Sequence, residues 1–179
     1  SPAGTPDALP PLANPIADGA FCDGAPTENP FTDLTGESQA TRDTIICLVH
    51  TGITTGATPT TYEPGGTVTR RQMAVFIKRL ADLFNEEETG SLNDLPAYDL
   101  VPDYPDVPPT DKGAEAIGQL SQADIVGGFP DGTFRPNAPV SRRQMAAFVN
   151  RLQDFLTGSP YSTSGDFFDD DNGDPGEAN

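Results

Sequence analysis

Apolar positions recur in two stretches with the spacing of one helical face. Met73, Phe76, Ile77 and Leu80 stand at i, i+3, i+4 and i+7, and Leu83 and Phe84 continue the series. Met145, Phe148, Val149, Leu152, Phe155 and Leu156 repeat it. This period predicts two amphipathic helices, each with one buried stripe. Each begins after a hydroxyl residue, Thr69 or Ser141, with Gln72 or Gln144 three residues later. That spacing predicts a capping box, in which the hydroxyl accepts from the third amide and the glutamine reaches back. Shorter apolar clusters precede each helix. Ile45, Ile46, Leu48 and Val49 predict a short buried helix over 40–50, which Gly52 and Gly56 end. Ile117 and Leu120 predict another over 114–123.

The two halves are copies. Val68-Thr69-Arg70-Arg71-Gln72-Met73-Ala74 returns as Val140-Ser141-Arg142-Arg143-Gln144-Met145-Ala146, an offset of 72 (142 − 70). Pro64 and Pro136, Tyr62 and Phe134, Gly56 and Gly128, and Ile45 and Ile117 keep that offset. Phe31-x-Asp33 and Tyr104-x-Asp106 differ by 73. Internal repetition means one supersecondary unit packing against its own kind. The expected organisation is a Pro/Ala/Gly-rich lead-in (1–30), a first repeat (31–84), an acidic linker (85–103), a second repeat (104–156), a Ser/Gly/Thr linker (157–166) and the start of a third repeat (167–179) at Phe168-Asp169-Asp170. The fold class expected is mainly α, in tandem helix-loop-helix repeats with long Pro/Gly-rich loops.

Composition narrows the partners. Twenty-seven acidic residues against ten Lys and Arg give a formal charge of −17. Phosphate backbones and anionic membranes are poor partners for such a surface. No apolar run approaches a membrane span. Cys22 and Cys47 are open to two readings, a bridge tying the lead-in onto the first helix or two free thiols, and the bridge is the expectation. They make no metal set with the lone His50. Asp131, in Pro130-Asp131-Gly132, reads as a turn residue before it reads as a ligand. The acidic run at 169–174 misses the alternation and glycine position of a calcium loop. No metal, no cofactor and no catalytic constellation is expected.

Seven of the ten cations lie in the two capped helices, with Arg135 just before one. At about 100° per residue, Arg70 falls roughly 70° from the centre of the apolar stripe. Arg71 falls on the far side. Arg70 and Arg142 therefore stand at the shoulder of the packed face, in a first turn where the helix dipole disfavours a cation. Each needs a compensating partner. An internal one would be a carboxylate, with Asp33 and Asp106 as candidates, or loop carbonyls. An external one would be an anionic group held in a cleft between repeats.

The ordered pattern of aromatic-x-Asp, apolar helix, Gly-Ile-x-x-Gly, aromatic-x-Pro and Val-Thr/Ser-Arg-x-Gln-Met-Ala-x-Phe resembles the S-layer homology (SLH) family. The Gln-Met-Ala version, with one Cys before the first repeat and one on its first helix, looks most like the actinobacterial branch. The resemblance implies a pseudo-threefold prism of helix pairs. It also implies a secreted, non-catalytic module that binds cell-wall polysaccharide, often pyruvylated, in clefts between repeats. By position, the family's recognition arginine carries over to Arg70 and Arg142; Asp33 and Asp106, their candidate partners, join them as the candidate ligand-binding residues. The family's motif has Glu where this chain has Gln72 and Gln144. The alternative is a self-associating subunit of an extracellular layer or fibre, a homo-oligomer without nucleic acid or membrane insertion.

Overall fold

The computed structural model describes Cys22 and residues 24–87, 93–98 and 104–158. Among the described residues the architecture is helical, with four α-helices and no strand: α1 (Gln39–His50), α2 (Arg70–Glu87), α3 (Ala114–Gln122) and α4 (Arg142–Thr157). The expected mainly α fold is what forms. The third-repeat start and most of the lead-in and linkers lie outside the described residues. α2 runs through Glu87, three residues into the segment read as a linker.

The chain divides into two compact units, Ser1–Glu63 and Pro64–Asn179. The division falls inside the first sequence repeat, so α1 and α2 belong to different units.

In the first unit, Ser38 caps α1 by accepting from the Thr41 amide. Leu34, from a single 3-10 turn (Thr32–Leu34), packs with Phe31 and Ile45, and Val49 and Tyr62 lean on them. This core is small. Cys22 and Cys47 add a disulfide to it, with Cα atoms 5.3 Å apart. The bridge is therefore formed, and the free-thiol alternative falls.

The second unit holds the main core. α2 contributes Met73, Ala74, Ile77 and Ala81; α3 contributes Ala114, Ala116, Ile117 and Leu120; α4 contributes Phe148, Leu152 and Leu156. Both α3 and α4 pack on α2. The capping boxes form as their spacing predicts. Thr69 N–H donates to Gln72 Oε1 (2.9 Å) while the Gln72 amide donates to Thr69 Oγ1 (3.3 Å). Ser141 and Gln144 make the same reciprocal pair.

One stripe residue departs from expectation. Val149 is 45% exposed, whereas its counterpart Ile77 is 3% exposed. The periodicity correctly marks the apolar face of α4. Only part of that face finds cover among the described residues, where α2 packs closely on both α3 and α4.

Candidate functional site

Among the described residues Arg70 is the largest fully buried side chain, 1% exposed. It opens α2, and the chain before it pairs with the loop leading into α4. Val140 N–H donates to the Val68 carbonyl (2.9 Å), and the Arg70 and Arg71 amides donate to the Ala138 (2.9 Å) and Pro136 (3.0 Å) carbonyls. Two first-turn amides of α2, which have no acceptor within the helix, are thereby satisfied by the second repeat.

The same docking carries the guanidinium inward. Arg70 Nε donates to the Phe134 carbonyl (2.7 Å) and Nη2 to the Gly127 carbonyl (2.6 Å). Its central carbon lies 4.5 Å from the Phe134 ring centroid, 5.0 Å from Phe129 and 5.8 Å from Phe148. These ring faces are negative and suit a cation stripped of water. Burial pushes the Arg70 pKa down, and the nearby Arg135 adds to that, while Tyr104 and Asp106 oppose it. Such a group keeps its charge all the same, since arginine deprotonates only far above neutrality. Nη1 is buried and has no hydrogen-bond partner. No ion pair among the described residues includes Arg70. The compensation expected for a first-turn arginine thus comes from loop carbonyls and rings.

Asp33 and Asp106 do not pair with the arginines. Each pins the aromatic-x-Pro loop of its own unit. Asp106 accepts from the Phe134 (2.9 Å) and Arg135 (2.7 Å) amides. Asp33 accepts from Tyr62 (3.0 Å) and Glu63 (2.7 Å). Both loops need the pin, because Glu63 and Arg135 adopt positive φ, 60° and 56°, unusual for residues with a Cβ. The amides of Tyr62 and Glu63 hold the Asp33 carboxyl below its ordinary pKa. Behind each loop, Gly56 meets the Phe31 ring and Gly128 the Tyr104 ring so closely that a Cβ would strike them. These glycines are required by packing.

Arg142 stands where Arg70 does, 72 residues on, but it is exposed. The fold therefore treats the two equivalent arginines differently. Sequence reasoning also missed Arg71. It makes a two-pronged pair with Asp111, Nε to Oδ1 at 2.8 Å and Nη2 to Oδ2 at 2.7 Å, and its Nη1 reaches Asn137 (3.0 Å). A partner 40 residues away carries no local signal. Gly113 is the one retrospective clue, because a Cβ there would collide with the Arg71 stem.

Burial alone would raise the Asp111 pKa. The Gly113 amide and Arg71 outweigh it, and the net shift is downward. A carboxylate with a depressed folded pKa adds stability that is present above its unfolded value, near pH 4, and is lost as pH falls through the folded value. Asp33 acts in the same sense. Asp131 is lowered to about 2, chiefly by the Thr133 hydroxyl and then by Arg135, as befits a turn residue. We expect stability to decline as pH is lowered below about 4. The Asp111→Asn variant should show a shallower decline, read by denaturant unfolding at several pH values. An unchanged acid limb would contradict the role given to Asp111.

No cluster of His, Cys, Asp or Glu among the described residues could hold a metal, and no described helix is long and apolar enough to cross a membrane.

The repeated helix caps, the pinned loops and the gripped arginine coincide with two matches to the S-layer homology domain, at residues 30–74 and 103–146. The chain belongs to the S-layer homology family and carries its domain twice. It is 33% identical over 117 residues to an amylopullulanase of Thermoanaerobacterium thermosulfurigenes, covering 65% of this chain and 6% of that protein. It is 31% identical over 117 residues to the exoglucanase XynX of Acetivibrio thermocellus, covering 65% of this chain and 10% of that protein. An endo-1,4-beta-xylanase A of Thermoanaerobacterium saccharolyticum is 33% identical over 105 residues, 58% of this chain and 8% of that protein. The chain thus spans a tenth or less of the length of these relatives. No solved structure matches it.

Proposed function

We propose that this chain is a non-catalytic module of a secreted protein. It holds that protein at the cell surface by binding an anionic cell-wall polysaccharide in clefts between repeats. The observation that carries the reading is the S-layer homology match on both repeats. Its relatives are named as an amylopullulanase, an exoglucanase and an endo-1,4-beta-xylanase, and the shared part is a small fraction of each. A shared non-catalytic part fits attachment better than it fits catalysis. The chemistry supports an acidic ligand. Arg70 is a buried cation whose Nη1 is unpaired, and Arg142 offers the same group at the surface. For the exposed Arg142, the planar guanidinium fork suits a carboxylate. Asp33 and Asp106 take part by holding the aromatic-x-Pro loops in place.

The chain should co-sediment with isolated cell walls and lose that binding when the walls are stripped of non-peptidoglycan polysaccharide. Arg142→Ala should weaken binding roughly tenfold, the cost of one charge-assisted contact. Arg142 is the residue to change, because Arg70 is part of the core. Equal co-sedimentation with stripped walls would sink the polysaccharide reading.

A further inference from the structure

Residues 93–98 fall in the segment read as an acidic linker, yet they are laid along the second unit. The Asn93 amide donates to the Leu156 carbonyl (3.1 Å), and Asn93 Nδ2 donates to the Phe155 carbonyl (2.7 Å). Both carbonyls belong to the last turn of α4, where partners within the helix are lacking. Three residues on, the Pro96 carbonyl accepts from Gln119 Nε2 of α3 (2.8 Å). Leu95 and Tyr98 pack on the main core. Tyr98 lies so close to Gly118 that a Cβ there would sit 2.6 Å from its ring. α3 and α4 each pack on α2, and residues 93–98 tie them to one another.

The repeat offset relates this tie to the disulfide. Gln119 stands 72 residues after Cys47 (119 − 47). Leu95, next to Pro96, stands 73 after Cys22, the offset that also relates Phe31 to Tyr104. In both units the chain entering the repeat is thus fastened to the same position of the repeat's first helix. The fastening is a disulfide in one and a hydrogen bond in the other. Side-chain bulk is exchanged to match. Tyr98 and Gly118 have Ala25 and Ile46 at their positions in the first repeat, so the large residue moves from the entering chain to the helix.

We infer that residues 93–98 form a latch, the non-covalent counterpart of the Cys22–Cys47 bridge, which opens before the rest of the second unit. Asn93, Asp94 and Ala97 are exposed, so few side chains hold it. Two buried polar atoms at its seat, Tyr98 Oη and Gln119 Oε1, have no hydrogen-bond partner. Unpaired buried groups weaken the closed state, and segments with few buried contacts open locally. Opening would also uncap the last turn of α4. The inference rests on repeat geometry and not on wall binding.

Amide exchange resolved residue by residue by NMR tests it. The Asn93 amide should exchange faster than those of Ile117 and Arg70. Gln119→Ala should speed it about tenfold, the net worth of one hydrogen bond. The same change should leave the Arg70 amide, bonded to the Ala138 carbonyl, at its original rate. Leu95→Cys with Gln119→Cys should oxidise to a second bridge, found by peptide mapping beside the native one, and should slow the Asn93 amide. An Asn93 amide as slow as that of Ile117 overturns the latch, and so does one that ignores Gln119→Ala. A cysteine pair that does not bridge, or bridges without slowing Asn93, overturns the equivalence with Cys22–Cys47.

Discussion

Arg70→Ala should destabilise the second unit by about 3–4 kcal/mol, far more than Arg142→Ala, although the two positions are equivalent in sequence. The substitution leaves the Gly127 and Phe134 carbonyls without their donors. Each buried polar group left unpaired costs about 1–3 kcal/mol. It also removes the cation from between three aromatic rings, worth up to about 2 kcal/mol when desolvated. A partly offsetting gain comes from no longer burying a charge without a counter-ion. Arg142→Ala removes an exposed side chain and should shift stability within about 0.5 kcal/mol. Arg70→Lys should recover little, because one ammonium cannot reach two carbonyls with the geometry of a fork. Urea unfolding monitored on the second unit's helices would measure all three. Equal effects at positions 70 and 142 would refute the account of Arg70 as the clamp between α2 and the second repeat.

That asymmetry marks the limit of what the sequence discloses. Helix period and caps are local, so α2 and α4 and their capping boxes were legible from Thr69, Gln72, Ser141, Gln144 and the apolar stripe. The shoulder position of Arg70 followed from the turn angle of a helix. What α2 packs against did not follow. A repeat in sequence says that units share a shape, and it leaves open whether a helix is covered by its own repeat or the next one. Here α2 is covered by α3 and α4, across the boundary of the repeat. The roles of Asp33 and Asp106 were hidden for a similar reason. Their amide partners lie 28–30 residues away, and a carboxylate near an arginine in a repeat suggests an ion pair before it suggests a backbone pin. Val149 was read as core because amphipathicity identifies an apolar face without identifying its cover.

Breaking the Cys22–Cys47 bridge should unfold the first unit while leaving the second folded. The bridge spans 25 residues, and in the chain-entropy account closing such a loop contributes about 3.5 kcal/mol. Against that stands a small core. Phe31, Leu34 and Ile45 are its buried centre, with Val49 and Tyr62 only partly buried, and one helix supplies most of its regular structure. Losing even one or two kcal/mol matters when total stability is marginal. The second unit has its own core, drawn from three helices, and contains no cysteine. Hydrogen exchange with and without reductant, or on the Cys22→Ser/Cys47→Ser chain, should show protection lost across α1 and kept across α2–α4. The loss should include the amides of Tyr62 and Glu63, because Asp33 can pin them only while Phe31 and Leu34 stay packed on α1. Protection that falls in both units together would show that they fold as one cooperative body. Protection retained in α1 after reduction would show that the small apolar core suffices without the bridge.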